Sequence, residues 1–158
     1  MPVRLRLEAP NSSLEVPYNP PSNVISMTDF TRVVLYTSPD GSAKFREERL
    51  DLPEGGPDAM LSRLQPSSGY QIRFSPVGFR SQFHCTTIPQ YVFILSGEME
   101  IGLHDGTSRV FCPGQHFYSA DTLPRGEVFD SSIHGHWSRQ TGPDALVTLF
   151  LRSGEPLN

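Results

Sequence analysis

An all-β domain is the fold class this sequence predicts, on three observations. Fifteen prolines and 13 glycines cut the chain into short pieces, which disfavours a helical bundle. The pieces between them are rich in β-branched and aromatic residues. Two of them, Tyr70 to Ser75 and Glu98 to Leu103, alternate polar and apolar residues with the period of two that belongs to a half-buried strand. A chain of 158 residues makes one domain and can bury a core without disulfide or metal staples.

In chain order, residues 1–25 read as a Pro-rich N-terminal arm, because Pro10-Asn11-Ser12-Ser13 and Pro17-Tyr18-Asn19-Pro20-Pro21-Ser22-Asn23 are turn or polyproline signals. Residues 26–158 form the domain. Arg32-Val33-Val34-Leu35-Tyr36-Thr37 is β-branched and aromatic, and Pro39-Asp40-Gly41-Ser42 turns the chain into a returning strand over Phe45 to Leu52. Pro53-Glu54-Gly55-Gly56-Pro57 is a loop, and Asp58 to Leu64 is the one helix-like stretch. Strands are then expected at Tyr70 to Ser75, Phe79 to Thr86, Tyr91 to Leu95, Glu98 to Leu103, Val110 to Cys112, His116 to Ala120 and Ala145 to Arg152. Ser96-Gly97 and His104-Asp105-Gly106-Thr107 are the hairpin turns among them.

Composition excludes several classes. Thirteen basic against 17 acidic residues, a net charge of −4, argue against a nucleic-acid partner. No apolar run approaches the roughly 20 residues that span a bilayer, and the N-terminus lacks the apolar stretch of a secretory signal, so a cytoplasmic protein is expected. The basic residues are nearly all arginine, with Lys44 the exception. Cys85 and Cys112 are too few for a disulfide framework and lie in apolar contexts, which predicts buried thiols.

The segment Gly78 to Gly97 resembles the first signature motif of the cupin superfamily: a Gly, five residues, His-x-His, three or four residues, Glu, six residues, Gly. Gly78, His84 and Gly97 keep that spacing, while Thr86 stands at the second His and Gln90 at the Glu. Pro113-Gly114 resembles the turn of the second motif. Asp130-Ser131-Ser132-Ile133-His134-Gly135-His136 resembles its downstream part, with His136 at the third His. The resemblance implies a cupin-type jelly-roll β-barrel, often a homodimer, with a small-molecule site in its mouth. Asp130 and Asp121 each fit the acidic position from one side.

The residues themselves are compatible with such a site. Side chains two apart on a strand share a face, so an inward His84 brings Thr86 with it and turns Cys85 away. The resemblance implies three His and one carboxylate around iron, manganese, zinc or nickel. Here the metal set would reduce to His84, Gln90 and His136, with His134 or His116 as possible substitutes. Gln90 is neutral and Thr86 a poor ligand, so acid–base chemistry that requires no metal is favoured. His84, His136 and Asp130 are then the catalytic set, with Asp121 the alternative carboxylate and Tyr91 or Tyr118 the acid. Gln90, Thr86, Phe93 and Tyr118 are expected to contact substrate.

A lining from Phe74, Phe83, Phe93, Phe111 and Phe117 suits an aromatic or polyketide-like substrate. The expected function is therefore a cyclase, isomerase, lyase or decarboxylase. The alternatives are a ligand-binding module without chemistry, in which His84, His136 and Gln90 are packing residues, and a metal-dependent dioxygenase. His104 reads as solvated in its turn and His116 as structural. Glu98 and Glu100 read as a solvated strand face, and Glu47-Glu48 as exposed.

Overall fold

The computed structural model describes residues 30–154; the expected N-terminal arm lies outside them. Eleven strands run in chain order: β1 Thr31–Thr37, β2 Ala43–Arg49, β3 Glu54–Gly56, β4 Ala59–Leu61, β5 Ser67–Ser75, β6 Gln90–Ser96, β7 Glu98–Gly102, β8 Ser108–Phe111, β9 His116–Ala120, β10 Trp137–Thr141 and β11 Leu146–Ser153. Among the described residues there is no helix, so none crosses a membrane. One six-stranded sheet has the order β2-β1-β9-β6-β11-β5, a three-stranded sheet the order β10-β7-β8, and β3-β4 is a separate hairpin. All pairs are antiparallel except β1 with β9.

The core lies between the two larger sheets. Leu35, Val92, Ile94, Phe117 and Leu146 come from the six-stranded sheet, and Met99, Ile101 and Phe111 from the smaller one, in a single buried cluster. Alternation explains the membership. Val92 and Ile94 face in and leave Tyr91, Phe93 and Leu95 outside; Met99 and Ile101 do the same on β7. The turn between β6 and β7 depends on Gly97, whose φ is +71°. A Cβ there would stand 2.5 Å from the Ala145 carbonyl oxygen.

The fold departs from the sequence reading in four places. Asp58 to Leu64 is not helical: Gly55-Gly56-Pro57-Asp58 turns the chain into the β3–β4 hairpin. Leu61 and Leu64 are exposed, so no apolar face is buried that would hold a short helix. Phe79 to Thr86 is extended but forms no continuous ladder; it is tied to the β10 side by separate contacts. β10 itself, Trp-Ser-Arg-Gln-Thr, carries no apolar alternation and goes unread in the sequence. Glu100 is 9% exposed and paired with Arg139 rather than solvated.

Candidate functional site

One cavity of about 370 Å³ opens between the sheets at the end marked by Gln90 and Arg152. Its wall includes Gln71 and Arg73 of β5, the segment His84 to Ile88, Gln90 and Val92 of β6, Met99, Phe117 and Ser119 of β9, His136, Ser138, Phe150 and Arg152. His84, Thr86, Gln90 and His136 therefore all line this cavity.

The segment 79–86 reaches that wall along β10. Gln140 N–H donates to the Phe79 carbonyl at 2.9 Å and Ser81 N–H to the Ser138 carbonyl at 2.8 Å. His84 and His136 then exchange both backbone hydrogen bonds, at 2.9 and 3.0 Å. Two residues, Gln82 and Phe83, thus stand opposite Trp137 alone, a bulge that breaks the period of two. Directly after His84 the chain leaves strand geometry, and Cys85 lines the cavity with its neighbours instead of turning away. Gly135 makes the close approach possible: its φ is +78°, and a Cβ would fall 2.2 Å from the His84 carbonyl oxygen.

Behind the wall lies a carboxyl group with no solvent exposure, that of Asp121. Its Oδ2 accepts the Nδ1–H of His136 at 2.6 Å, and its Oδ1 accepts the Thr86 hydroxyl at 2.7 Å. The Ser119 hydroxyl stands 2.6 Å from that of Thr86. The hydroxyl of Thr86, which also lines the cavity, is thus committed to the acid. With Nδ1–H committed to Asp121, His136 has Nε2 left for the cavity. His84 is arranged alike: its Nδ1–H donates to the Gln82 carbonyl at 2.9 Å, which leaves Nε2 as an acceptor. The two rings are 4.5 Å apart between centroids. Although His84 faces the cavity mouth, burial of its ring lowers its pKa, and the nearby His136 and Arg73 push the same way against the Gln82 carbonyl and Asp121. His84 is therefore a neutral base at neutral pH.

Cys85 is half-buried, as is Cys112. Burial, with the charge of Asp121, pushes the Cys85 thiol up to about 11, so it stays protonated and is no nucleophile.

Other expected site residues lie elsewhere. Asp130 is exposed, and its Oδ1 accepts Ser132 N–H at 2.8 Å and the Ser132 hydroxyl at 2.6 Å, a local turn that holds its carboxyl below the usual range. The acid that meets a histidine of the cavity is Asp121. Phe93 and Tyr118 are on the outer face of the six-stranded sheet, because Gln90 and Val92 of β6 and Phe117 and Ser119 of β9 take the inner one. There Phe93 stacks on His116 at 5.1 Å, and Tyr118 and Tyr91 pack with Arg32. Neither tyrosine can act as an acid in the cavity. Of the five expected phenylalanines only Phe117 lines it; Phe74 is 67% exposed, Phe83 stacks on His104 at 3.7 Å, and Phe111 packs on Phe117 in the core. His104 is thereby half-buried rather than solvated. His134 is buried and spans Glu127 Oε2 and Asp130 N–H, both at 2.9 Å, so it pins the preceding loop.

Among the described residues no group of three or more His, Cys, Asp and Glu side chains converges as a metal site. Each imidazole at the wall has the fixed Nδ1–H and free Nε2 of a metal ligand. The third donor would be the neutral amide of Gln90, while Asp121 is committed to His136 and Thr86. This set falls short of a tight transition-metal site.

The lowered pKa of His84 has a consequence for stability. The unfolded chain, with an ordinary histidine pKa of 6.5, takes up this proton before the folded protein does. Stability should therefore fall as pH drops through that value toward the folded pKa, with His116, also lowered by burial, adding to the same trend. Denaturant titrations on both sides of pH 6.5 should show this loss, and His84→Gln should flatten part of it. Stability that rises on acidification in the wild type would contradict the placement of the ring.

No protein-family model matches the chain, and no curated protein matches it in sequence.

Proposed function

We propose that the protein is a small-molecule enzyme that works by acid–base chemistry in this cavity, on a cupin-like jelly-roll frame. The observation that carries the reading is the pair of imidazoles on one wall, each with Nδ1–H fixed and Nε2 free. His84 takes a proton from a carbon acid through Nε2 while the electron pair moves onto an adjoining carbonyl oxygen. The imidazolium then returns the proton, to the same atom or to a neighbouring one. His136, positioned by Asp121, faces the same substrate and offers Nε2 as an acceptor to a substrate hydroxyl or to a second acidic proton. Phe117, Phe150, Val92 and Met99 supply an apolar wall for the substrate body. An isomerase, cyclase, lyase or decarboxylase fits such proton transfers without a redox partner. The metal-dependent dioxygenase reading needs a third strong donor beside His84 and His136, which the neutral amide of Gln90 does not supply.

Exchange of substrate C–H for deuterium tests the base without knowledge of the product. A panel of aryl ketones, 3-oxo esters and 2-oxo acids in deuterated water, followed by proton NMR, should include compounds whose exchange the protein accelerates. His84→Ala should lower that rate by about 10²–10⁴-fold. Compounds that bind without any accelerated exchange would favour the alternative, a ligand-binding module.

A homodimer is proposed as well, supported by the outer face of the six-stranded sheet. Tyr70, Ile72 and Phe74 are 65%, 62% and 67% exposed, and Leu95 joins them. The outward residues of β11 beside them, Val147, Leu149 and Leu151, are also apolar, so no charge interrupts the patch. Sedimentation at micromolar concentration should give twice the chain mass, and Ile72→Asp should shift it to the monomer. A monomeric wild type would sink the proposal.

A further inference from the structure

Two guanidinium groups line the cavity, those of Arg73 and Arg152. Neither makes an ion pair among the described residues. Arg152 is occupied: its Nη2 donates to Gln71 Oε1 at 2.8 Å. Arg73 is not. Its Nε and Nη2 are sealed from solvent and have no hydrogen-bond partner among the described residues. The group is held between two rings, 5.1 Å from the centroid of Phe79 and 4.9 Å from that of Phe150. Guanidinium keeps its proton at any physiological pH, so this is a half-buried positive charge in a cavity wall without a counter-charge among the described residues. The one carboxyl group at the back of the cavity, that of Asp121, is committed to His136 and Thr86.

A natural core avoids such a charge unless something compensates it. The two rings hold the guanidinium in place, and Nη1, the nitrogen that is not sealed, is the donor left to meet a carboxylate from the cavity. Around it stand the apolar groups of Val92, Met99, Phe117 and Phe150. Arg152, the other cation of the lining, holds Gln71 through one hydrogen bond and has no counter-charge among the described residues, so inorganic phosphate is the natural competitor of a carboxylate here. We propose that Arg73 anchors a carboxylate, and that the cavity accepts a small organic acid whose apolar body lies against Phe117 and Phe150. The inference rests on the reading of this cavity as a small-molecule site; it does not depend on proton transfer by His84. It corrects the picture of a purely apolar substrate in one respect, the anionic end.

The test pairs acids with their neutral amides: acetate with acetamide, benzoate with benzamide, 3-phenylpropanoate with its amide, at constant ionic strength, with inorganic phosphate as the competing anion. The full chain is followed by calorimetric titration and thermal shift. The expected result is saturable binding of the aryl carboxylates, at least about tenfold weaker binding of the amides, and no comparable effect of phosphate. Arg73→Gln should weaken carboxylate binding at least about tenfold and leave the ligand-free melting temperature unchanged or higher, because it removes an uncompensated charge. If that variant does not fold, protection of Arg73 in the wild type against phenylglyoxal by benzoate, mapped by mass spectrometry, reads the same contact. Equal binding of acid and amide, a preference for phosphate, no binding of any acid, or unprotected Arg73 would each overturn the proposal. Deuterium exchange in the same samples separates the two readings. Acid binding without exchange supports the anchor and counts against the base, whereas exchange of neutral ketones with no preference for acids overturns the anchor alone.

Discussion

The buried carboxyl of Asp121 is the interaction on which the cavity wall depends. A carboxylate removed from water is costly unless its oxygens are satisfied, and removal of one partner from such a buried pair costs about 3–5 kcal/mol. Here the acceptors are served by His136 at 2.6 Å and Thr86 at 2.7 Å, and Ser119 backs Thr86. These donors come from three separate stretches of chain. The carboxyl therefore ties the end of β9 to the segment 84–86 and to the approach to β10, and fixes which nitrogen of His136 faces the cavity. A backbone contact, Thr86 N–H to the Asp121 carbonyl at 3.2 Å, runs alongside. The His84–His136 backbone exchange, which Gly135 permits, completes the wall.

The all-β class and most strands were legible because turn chemistry and apolar runs act locally. Tyr91 to Leu95 and Ala145 to Arg152 are strands wherever they are placed, and Asp105-Gly106 closes its hairpin from within. What local pattern does not give is which face of a strand looks inward. On β5 the polar residues Gln71, Arg73 and Ser75 alternate with Tyr70, Ile72 and Phe74. Ordinary burial logic sends the apolar set inside. The fold does the reverse, with Gln71 and Arg73 on the cavity wall and the apolar set outside. The inner face lines a cavity with polar groups, and the outer face continues into the apolar side chains of β11. The reversal also explains why Arg73 escapes notice in the sequence: in an alternating strand it looks like solvent-side charge.

The site was legible to the same extent. His84, Thr86, Gln90 and His136 line the same cavity, as the sequence reading expected of an inward His84 and its partners. Asp130 and Phe93 do not join them, for different reasons. Asp130 lies two residues before Ser132 and closes its own turn, a short-range contact that outcompetes any distant one. Phe93 has the wrong parity relative to Gln90. Parity also failed at Cys85, because the chain leaves strand geometry directly after His84 and side chains no longer alternate there. Asp121 could have been preferred over Asp130 on one ground: it follows β9 directly at Ser119-Ala120, where it shares the inward face with Phe117 and Ser119.

The most direct test of the account is a long-range ¹H–¹⁵N correlation spectrum of the histidine rings in the wild type and in Asp121→Asn. The account predicts that Nδ1 of His136 carries a strongly deshielded, slowly exchanging proton that is lost in the variant, while the Nδ1–H of His84 persists in both. An unprotonated Nδ1 on His136, or a resonance that Asp121→Asn leaves unchanged, would contradict it.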